Sequence, residues 1–134
     1  MKIIKQDGYP LAVSKKLVAV ITQELEKHGI DDSAGFIINF RDPDYSAESG
    51  GYHPVEICVD ANGRIQYITD FAYVGHGQYA ELAKELDFDF SQGAFEQMGT
   101  LFPIRQGAGL FRLWQSNFCS YYQYQVFQVS VENL

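Results

Sequence analysis

Between Ser14 and Gly29 the apolar residues Leu17, Val20, Ile21 and Leu25 recur every three or four positions, and Lys15, Lys16, Gln23, Glu24, Glu26 and Lys27 fill most of the rest. That spacing predicts an amphipathic α-helix, with Ser14 as its N-cap and Gly29 as a left-handed terminator. Lys27 and His28 then complement the negative end of the helix dipole, so His28 reads as a helix-end residue and not as a ligand. The next apolar run, GFIINFR (35–41), is β-branched and aromatic on both faces up to Asn39, as an interior strand requires. In VEICVDANGRIQYIT (55–69), alternation on both sides of Asn62-Gly63 is the strongest hairpin signal in the chain. A two-residue loop there would set Val55, Ile57 and Val59 on one face with Asp70, Ile68 and Gln66, mixing polar with apolar. A type I turn over residues 60–63, with Gly63 left-handed in a bulge, sets the same three with Thr69, Tyr67 and Ile65. The second register is therefore expected; it places Glu56 with Cys58, Asp60, Ile68, Gln66 and Arg64, away from the main core.

Further along, DFAYVGHG (70–77) predicts a strand ending near Val74 and a sharp turn around His76 between two glycines. QYAELAKEL (78–86) has Tyr79, Leu82 and Leu86 at helical spacing and predicts a short helix, whereas DFDF (87–90) alternates as a half-buried strand does. SQGAFEQMGTLF (91–102) predicts a helix behind Ser91 through Phe95, Met98 and Phe102, although Gly93 and Gly99 would each cost it roughly 1 kcal/mol. PIRQGAGLFRLW (103–114) reads as a loop running into a strand or turn. SYYQYQVFQVSVE (120–132) reads as a long final strand whose buried face changes phase between Val126 and Phe127, which a bulge would reconcile. These elements make an α+β fold, a largely antiparallel sheet with an N-terminal helix and one or two further helices packed against it. A chain of 134 residues, 46% hydrophobic and 15% aromatic, accommodates this as a single domain over residues 1–134.

Charge narrows the partners. Of a net −7, residues 31–96 hold thirteen acids against Arg41, Arg64 and Lys84, a local net of −10, while residues 1–30 hold five lysines and three acids. Such a field repels phosphate backbones and attracts basic proteins or cations, so direct nucleic-acid binding is not expected. No apolar run approaches the length that spans a bilayer, and the opening MKIIKQDGYPL is broken at Lys5, Asp7 and Pro10, so no membrane partner and a cytoplasmic location are expected. Cys58 and Cys119 stand apart from any CxxC or Cys/His cluster, which predicts two buried thiols, no disulfide framework and no structural zinc.

Candidate chemistry concentrates in FRDPDYSAESGGYHPVEI (40–57), where Asp42, Asp44, Glu48, His53 and Glu56 fall within fifteen positions. Hard oxygen ligands or a His53/Glu56 acid–base pair are conceivable uses. The spacing fits neither a calcium loop nor HExxH, and Pro54 favours an extended backbone at His53. The structural use accounts for more of the residues. Asp42-Pro43-Asp44-Tyr45 suits a turn in which an Asp side chain accepts backbone N–H groups, Gly50-Gly51 supplies positive φ, and Arg41 is placed to brace Asp42, Asp44 or Glu48. A second candidate surface is aromatic: Tyr121, Tyr122 and Tyr124, with Arg112 and Trp114, would suit protein recognition if exposed together, though most such rings line a core.

NFRDPDYSAESGGYHPVEI, YITDFAYVG, YAELAKELDFDF and the later LW and NF together resemble a family of bacterial conserved hypothetical proteins known as a domain of unknown function, number 2787 in that series. The resemblance covers nearly the whole chain. It implies a small soluble protein often carried by mobile genetic elements, with a fold like that of the acidic mitochondrial matrix protein that binds complement globular heads. That protein is a ring-forming binder and not an enzyme. Its fold has long terminal helices, whereas this chain is expected to finish in a strand, so ring assembly is not carried over and no catalytic residues are transferred.

The expectation is a non-enzymatic binding or adaptor protein without cofactor or resident metal, whose partner is another protein, with homo-oligomerisation compatible. The alternatives are a metal-dependent enzyme using the acidic loop at 42–56, and an acidic DNA-mimic decoy whose carboxylates would line one exposed ridge.

Overall fold

The computed structural model describes residues 3–29 and 34–134. Helix α1 (Lys15–His28) forms where the periodicity placed it. The Ser14 hydroxyl accepts the Leu17 N–H at 3.1 Å, and Gly29, at φ 58°, donates its N–H to the Leu25 carbonyl at the other end. Ser14→Ala should cost about 1 kcal/mol of stability, read as a lowered urea midpoint at unchanged slope.

Among the described residues seven strands follow: β1 (Phe36–Arg41), β2 (Val55–Val59), β3 (Ile65–Val74), β4 (Glu81–Asp89), β5 (Ala94–Gln97), β6 (Thr100–Pro103) and β7 (Gln128–Asn133). They form one sheet in the order β6-β5-β4-β3-β2-β1-β7, every pair antiparallel. Helix α2 (Ala108–Gln123) intervenes before β7, which returns to the far side of β1. Phe36, Ile38, Phe40, Ile57 and Phe88 of the sheet share a core with Leu17, Ile21 and Leu25 of α1 and Phe111, Trp114 and Phe118 of α2, and α1 packs against α2. Both helices thus cover one sheet face. On the other face the paired row Ser130, Asn39, Glu56, Thr69, Asp87, Glu96 is polar, the usual condition of an antiparallel sheet. The α+β architecture is as expected, and the chain finishes in a strand.

Four segments differ from their sequence expectation. Residues 78–86 are not a helix: a single 3-10 turn (Gly77–Tyr79) leads into β4, because pairing along the length of β3 outweighs the helix preference of Glu, Leu, Ala and Lys. Residues 91–102 are the β5/β6 hairpin. Phe95 and Phe102, read as one helix face, sit opposite each other across it, and the turn residues Met98 (φ 49°) and Gly99 (φ 86°) both take the positive φ of a two-residue hairpin loop. PIRQGAGLFRLW starts α2, since its glycines fall at the N-cap and second position, where a helix tolerates them. Gly107 also lets the Phe95 ring come close; a Cβ there would lie 2.9 Å from that ring. Finally, α2 runs on to Gln123, so the phase change at Val126/Phe127 marks a helix–strand junction and not a bulge. Gln125 at φ 60° turns the chain.

The β2/β3 register combines both alternatives. The turn is as expected, with Gly63 at φ 83° and the Asp60 carboxylate accepting the N–H groups of Asn62 and Arg64 at 2.9 Å, so that Val59 faces Ile65. An irregularity next to Cys58/Val59 then shifts the pairing, and beyond it Ile57 faces Ile68 and Val55 faces Asp70. The rejected face, with a carboxylate among apolar residues, is the one that forms. Glu56 does point away from the core, in company with Thr69 and not Ile68.

Candidate functional site

The acidic loop spends its first carboxylate on itself. Asp42 accepts the Asp44 N–H at 2.9 Å through Oδ1 and the Tyr52 N–H at 3.0 Å through Oδ2, while its carbonyl accepts the Tyr45 N–H. Gly51, at φ 138°, lies so close that a Cβ would stand 2.8 Å from Asp42 Oδ2. Arg41, Asp44 and Glu48 are exposed, and among the described residues Arg41 forms no ion pair with Asp42, Asp44 or Glu48. Glu56 accepts the Tyr67 hydroxyl on the uncovered sheet face, where burial, with the carboxylate's help, pushes the Tyr67 phenol up.

His53 behaves differently. Its Nδ1 lies 2.8 Å from Asp70 Oδ1 and 3.4 Å from Glu85 Oε2, and the other Asp70 oxygen accepts the Trp114 indole N–H at 2.9 Å. Two departures from regular pairing build this group. The shift in β2/β3 turns the buried Asp70 onto the helix-covered face, and a second shift, at Asp70/Phe71, leaves Glu85 as an extra residue in β4 so that it joins Leu86 at the same cleft. The bond from Asp70 raises the His53 pKa above its ordinary value. Burial works against that rise, and the charges of Asp70 and Glu85 add to it. Tyr45 packs on both His53 (5.4 Å between centroids) and Tyr73 (5.1 Å), and its hydroxyl accepts the Tyr73 N–H.

His53, Asp70 and Glu85 border a cleft of about 310 Å³ whose remaining walls are largely aromatic, from Tyr52, Trp114, Phe118, Tyr121 and Phe127, with Asn117 at its side. Tyr52 lies 4.7 Å from Tyr121 and 6.4 Å from Phe127, so the loop end and α2 share one wall. Among the described residues the lining includes neither Lys nor Arg, and no Ser, Thr or Cys that the imidazole could activate. Donor atoms of His53, Asp70 and Glu85 lie within 4.8 Å of one another, the one such convergence among the described residues, and these are the groups that could hold a metal. Asp70, however, already serves His53 with one oxygen and Trp114 with the other.

The five aromatic-surface candidates do not form one patch. Trp114 is buried behind Asp70, and Tyr121 packs at a tilt against Tyr52 at the cleft. Tyr122 is half-buried and donates to the Glu24 carboxylate between the two helices. Arg112 and Tyr124 are exposed. The carboxylates of the middle segment are likewise divided among the loop (Asp42), the turn (Asp60), the cleft (Asp70, Glu85) and the uncovered sheet face (Glu56, Asp87, Glu96), while Asp31 and Asp32 lie outside the described residues. Reasoning from sequence missed Asp70, Glu85 and the role of Trp114. The signal available was the polarity clash of Asp70 in the rejected register.

Residues 15–132 match a protein family described as a protein of unknown function, DUF2787. Among solved structures, the hypothetical protein VC0508 from the VSP-II pathogenicity island of Vibrio cholerae is 39% identical, with a TM-score of 0.81 over 96% of this chain and 99% of that one. The conserved hypothetical protein VC1805 from the V. cholerae pathogenicity island VPI-2, described as sharing structural homology with the human P32 protein, is 38% identical, with a TM-score of 0.81 over 94% and 98%. No curated protein matches the chain. No helix among the described residues is long and apolar enough to cross a membrane.

Proposed function

The chain belongs to this DUF2787 family of unknown function, and on that premise we propose that it is a non-enzymatic protein-binding module whose cleft receives a cationic side chain of its partner. The observation that carries this reading is the pairing of two carboxylates, Asp70 and Glu85, with aromatic walls in a cleft that, among the described residues, is lined by neither Lys nor Arg. Carboxylates supply the charge, and ring faces attract cations at a low desolvation cost. The net charge of −7 favours encounter with a basic protein.

The test is an NMR titration with hexa-lysine and hexa-arginine peptides, read at the Trp114 indole N–H beside Asp70. That resonance should move on addition of cationic peptide and stay still with hexa-glutamate, and Glu85→Gln should weaken binding about tenfold. Cationic peptides that leave the indole unmoved would refute the reading.

The donor-atom convergence of His53, Asp70 and Glu85 favours one rival, a divalent-metal enzyme. Saturable binding of Mn²⁺ or Zn²⁺ that is lost in Glu85→Gln would support the rival. Calorimetric silence across divalent ions would remove it.

A further inference from the structure

We infer that the outer edge of β7 is a self-association surface, on which a second copy of this chain adds its own β7 antiparallel and continues the sheet across a two-fold axis. Leu134 donates its N–H to the Gly35 carbonyl at 2.8 Å, and in an antiparallel ladder such bonded pairs fall on alternate residues. Glu132, Ser130 and Gln128 therefore turn their main-chain groups towards β1, opposite Ile37, Asn39 and Arg41. Val129, Val131 and Asn133 turn theirs away from it, and among the described residues those groups meet no partner. The two ends of the sheet differ in their protection. β6 has four residues and ends in Pro103, whereas β7 pairs six in unbroken register and contains neither proline nor lysine.

The side chains of β7 match their own reverse. With Ser130 on the axis, opposite its own copy, Val129 stands opposite Val131 of the second copy on the helix-covered side, and Gln128 opposite Glu132 on the polar side. Moving the axis to Val131 would set Val129 against Asn133, and moving it to Glu132 would set two carboxylates face to face. The Ser130 register also carries Asn133 of the second copy to the level of Phe127, one step before β7. Phe127 and Val129 wall a cavity of about 370 Å³ beside the C-terminal ends of both helices, whose polar lining includes Gln23, Lys27, Gln123 and Gln125. An amide can both donate to and accept from those amides. Asn133 is exposed and sits at the far end of β7 from the cavity of its own chain, so the contact requires a second copy. Each copy carries −7, which opposes association, and six residues a side make a small interface; the dimer should therefore grow with concentration and with salt. None of the carboxylates of the cleft takes part, so the inference stands apart from the cation reading.

Sedimentation velocity of the full chain, from micromolar to millimolar concentration and in low and high salt, reads the monomer–dimer equilibrium. Val131→Pro removes an outward N–H and no bond to β1, so it should keep the circular dichroism of the parent and raise the dimer dissociation constant by about tenfold or more. Ser130→Lys sets two ammonium groups against each other on the exposed face and should weaken the dimer likewise, less so in high salt. Ser130→Cys should form a disulfide-linked dimer with oxidised glutathione as the oxidant, since facing residues of a non-hydrogen-bonded pair stand about 4.5 Å apart at Cα. Gln128→Cys should not, and the native thiols of Cys58 and Cys119 are buried. A chain that stays monomeric at millimolar concentration in high salt would overturn the inference. So would a dimer that survives both Val131→Pro and Ser130→Lys, or one that cross-links as readily through Gln128→Cys as through Ser130→Cys, because either places the contact elsewhere.

Discussion

Phe88→Ala is expected to lower stability by about 3–5 kcal/mol, the largest effect of any single truncation considered. Phe88 is 1% exposed and stands between strand and helix. Its ring stacks on Phe95 at 5.2 Å, meets Phe111 edge-on at 4.9 Å and lies 6.2 Å from Trp114. Removing it opens a cavity whose neighbours belong to β4, β5 and α2 at once, so no one of them can collapse into the gap without leaving another. The measurement is the urea midpoint, with Leu113→Ala on the exposed side of α2 as a control expected within about 0.5 kcal/mol of the parent. A loss below 1 kcal/mol for Phe88→Ala would show that α2 does not lean on β4 as described.

Asp70→Ala comes next, at about 3 kcal/mol, through a different mechanism. The substitution leaves the indole N–H of a buried tryptophan without its acceptor and His53 without its partner, so two groups lose compensation for one side chain removed. Asp70→Asn keeps the size and one acceptor oxygen and should recover more than half of the loss. The pH profile separates this from simple packing damage. With its folded-state pKa raised, His53 contributes stability that is fully present below the unfolded value and is lost as pH rises through the folded one. That slope should be present in the parent and largely flattened in Asp70→Ala. A parent whose stability is unchanged through the histidine range would contradict the His53–Asp70 bond.

What could be read from the residues, and what could not, follows the range of the interactions. Helix α1 was legible because its period, its Ser14 cap and its Gly29 stop are local and agree. β1 and the β2/β3 turn were legible for the same reason. Residues 78–86 and 91–102 were misread because Leu82/Leu86 and Phe95/Phe102 satisfy a helical period by coincidence, and only pairing with distant strands decides between the two structures. The candidate site was half legible. The loop that delivers His53 stood out, and Asp42 does shape it as its neighbours suggested. Asp70 and Glu85 did not stand out, because each reaches the cleft through a slip in strand pairing that has no signature in a single strand's alternation. The rule that polar residues avoid the apolar face excluded the register that forms, and such rules are expected to fail where a buried polar group has a purpose.

The placement of β7 has a consequence for biosynthesis. Phe36 of β1 is paired with Asn133 of β7, so one flank of β1 stays bare until every other strand, α2 and then β7 itself have left the ribosome. Until then the main-chain donors and acceptors along that flank are open to any extended segment nearby, and slow elongation after α2 lengthens the exposure. Chaperone demand and inclusion-body formation in this protein would therefore depend on how quickly the codons from α2 through β7 are read.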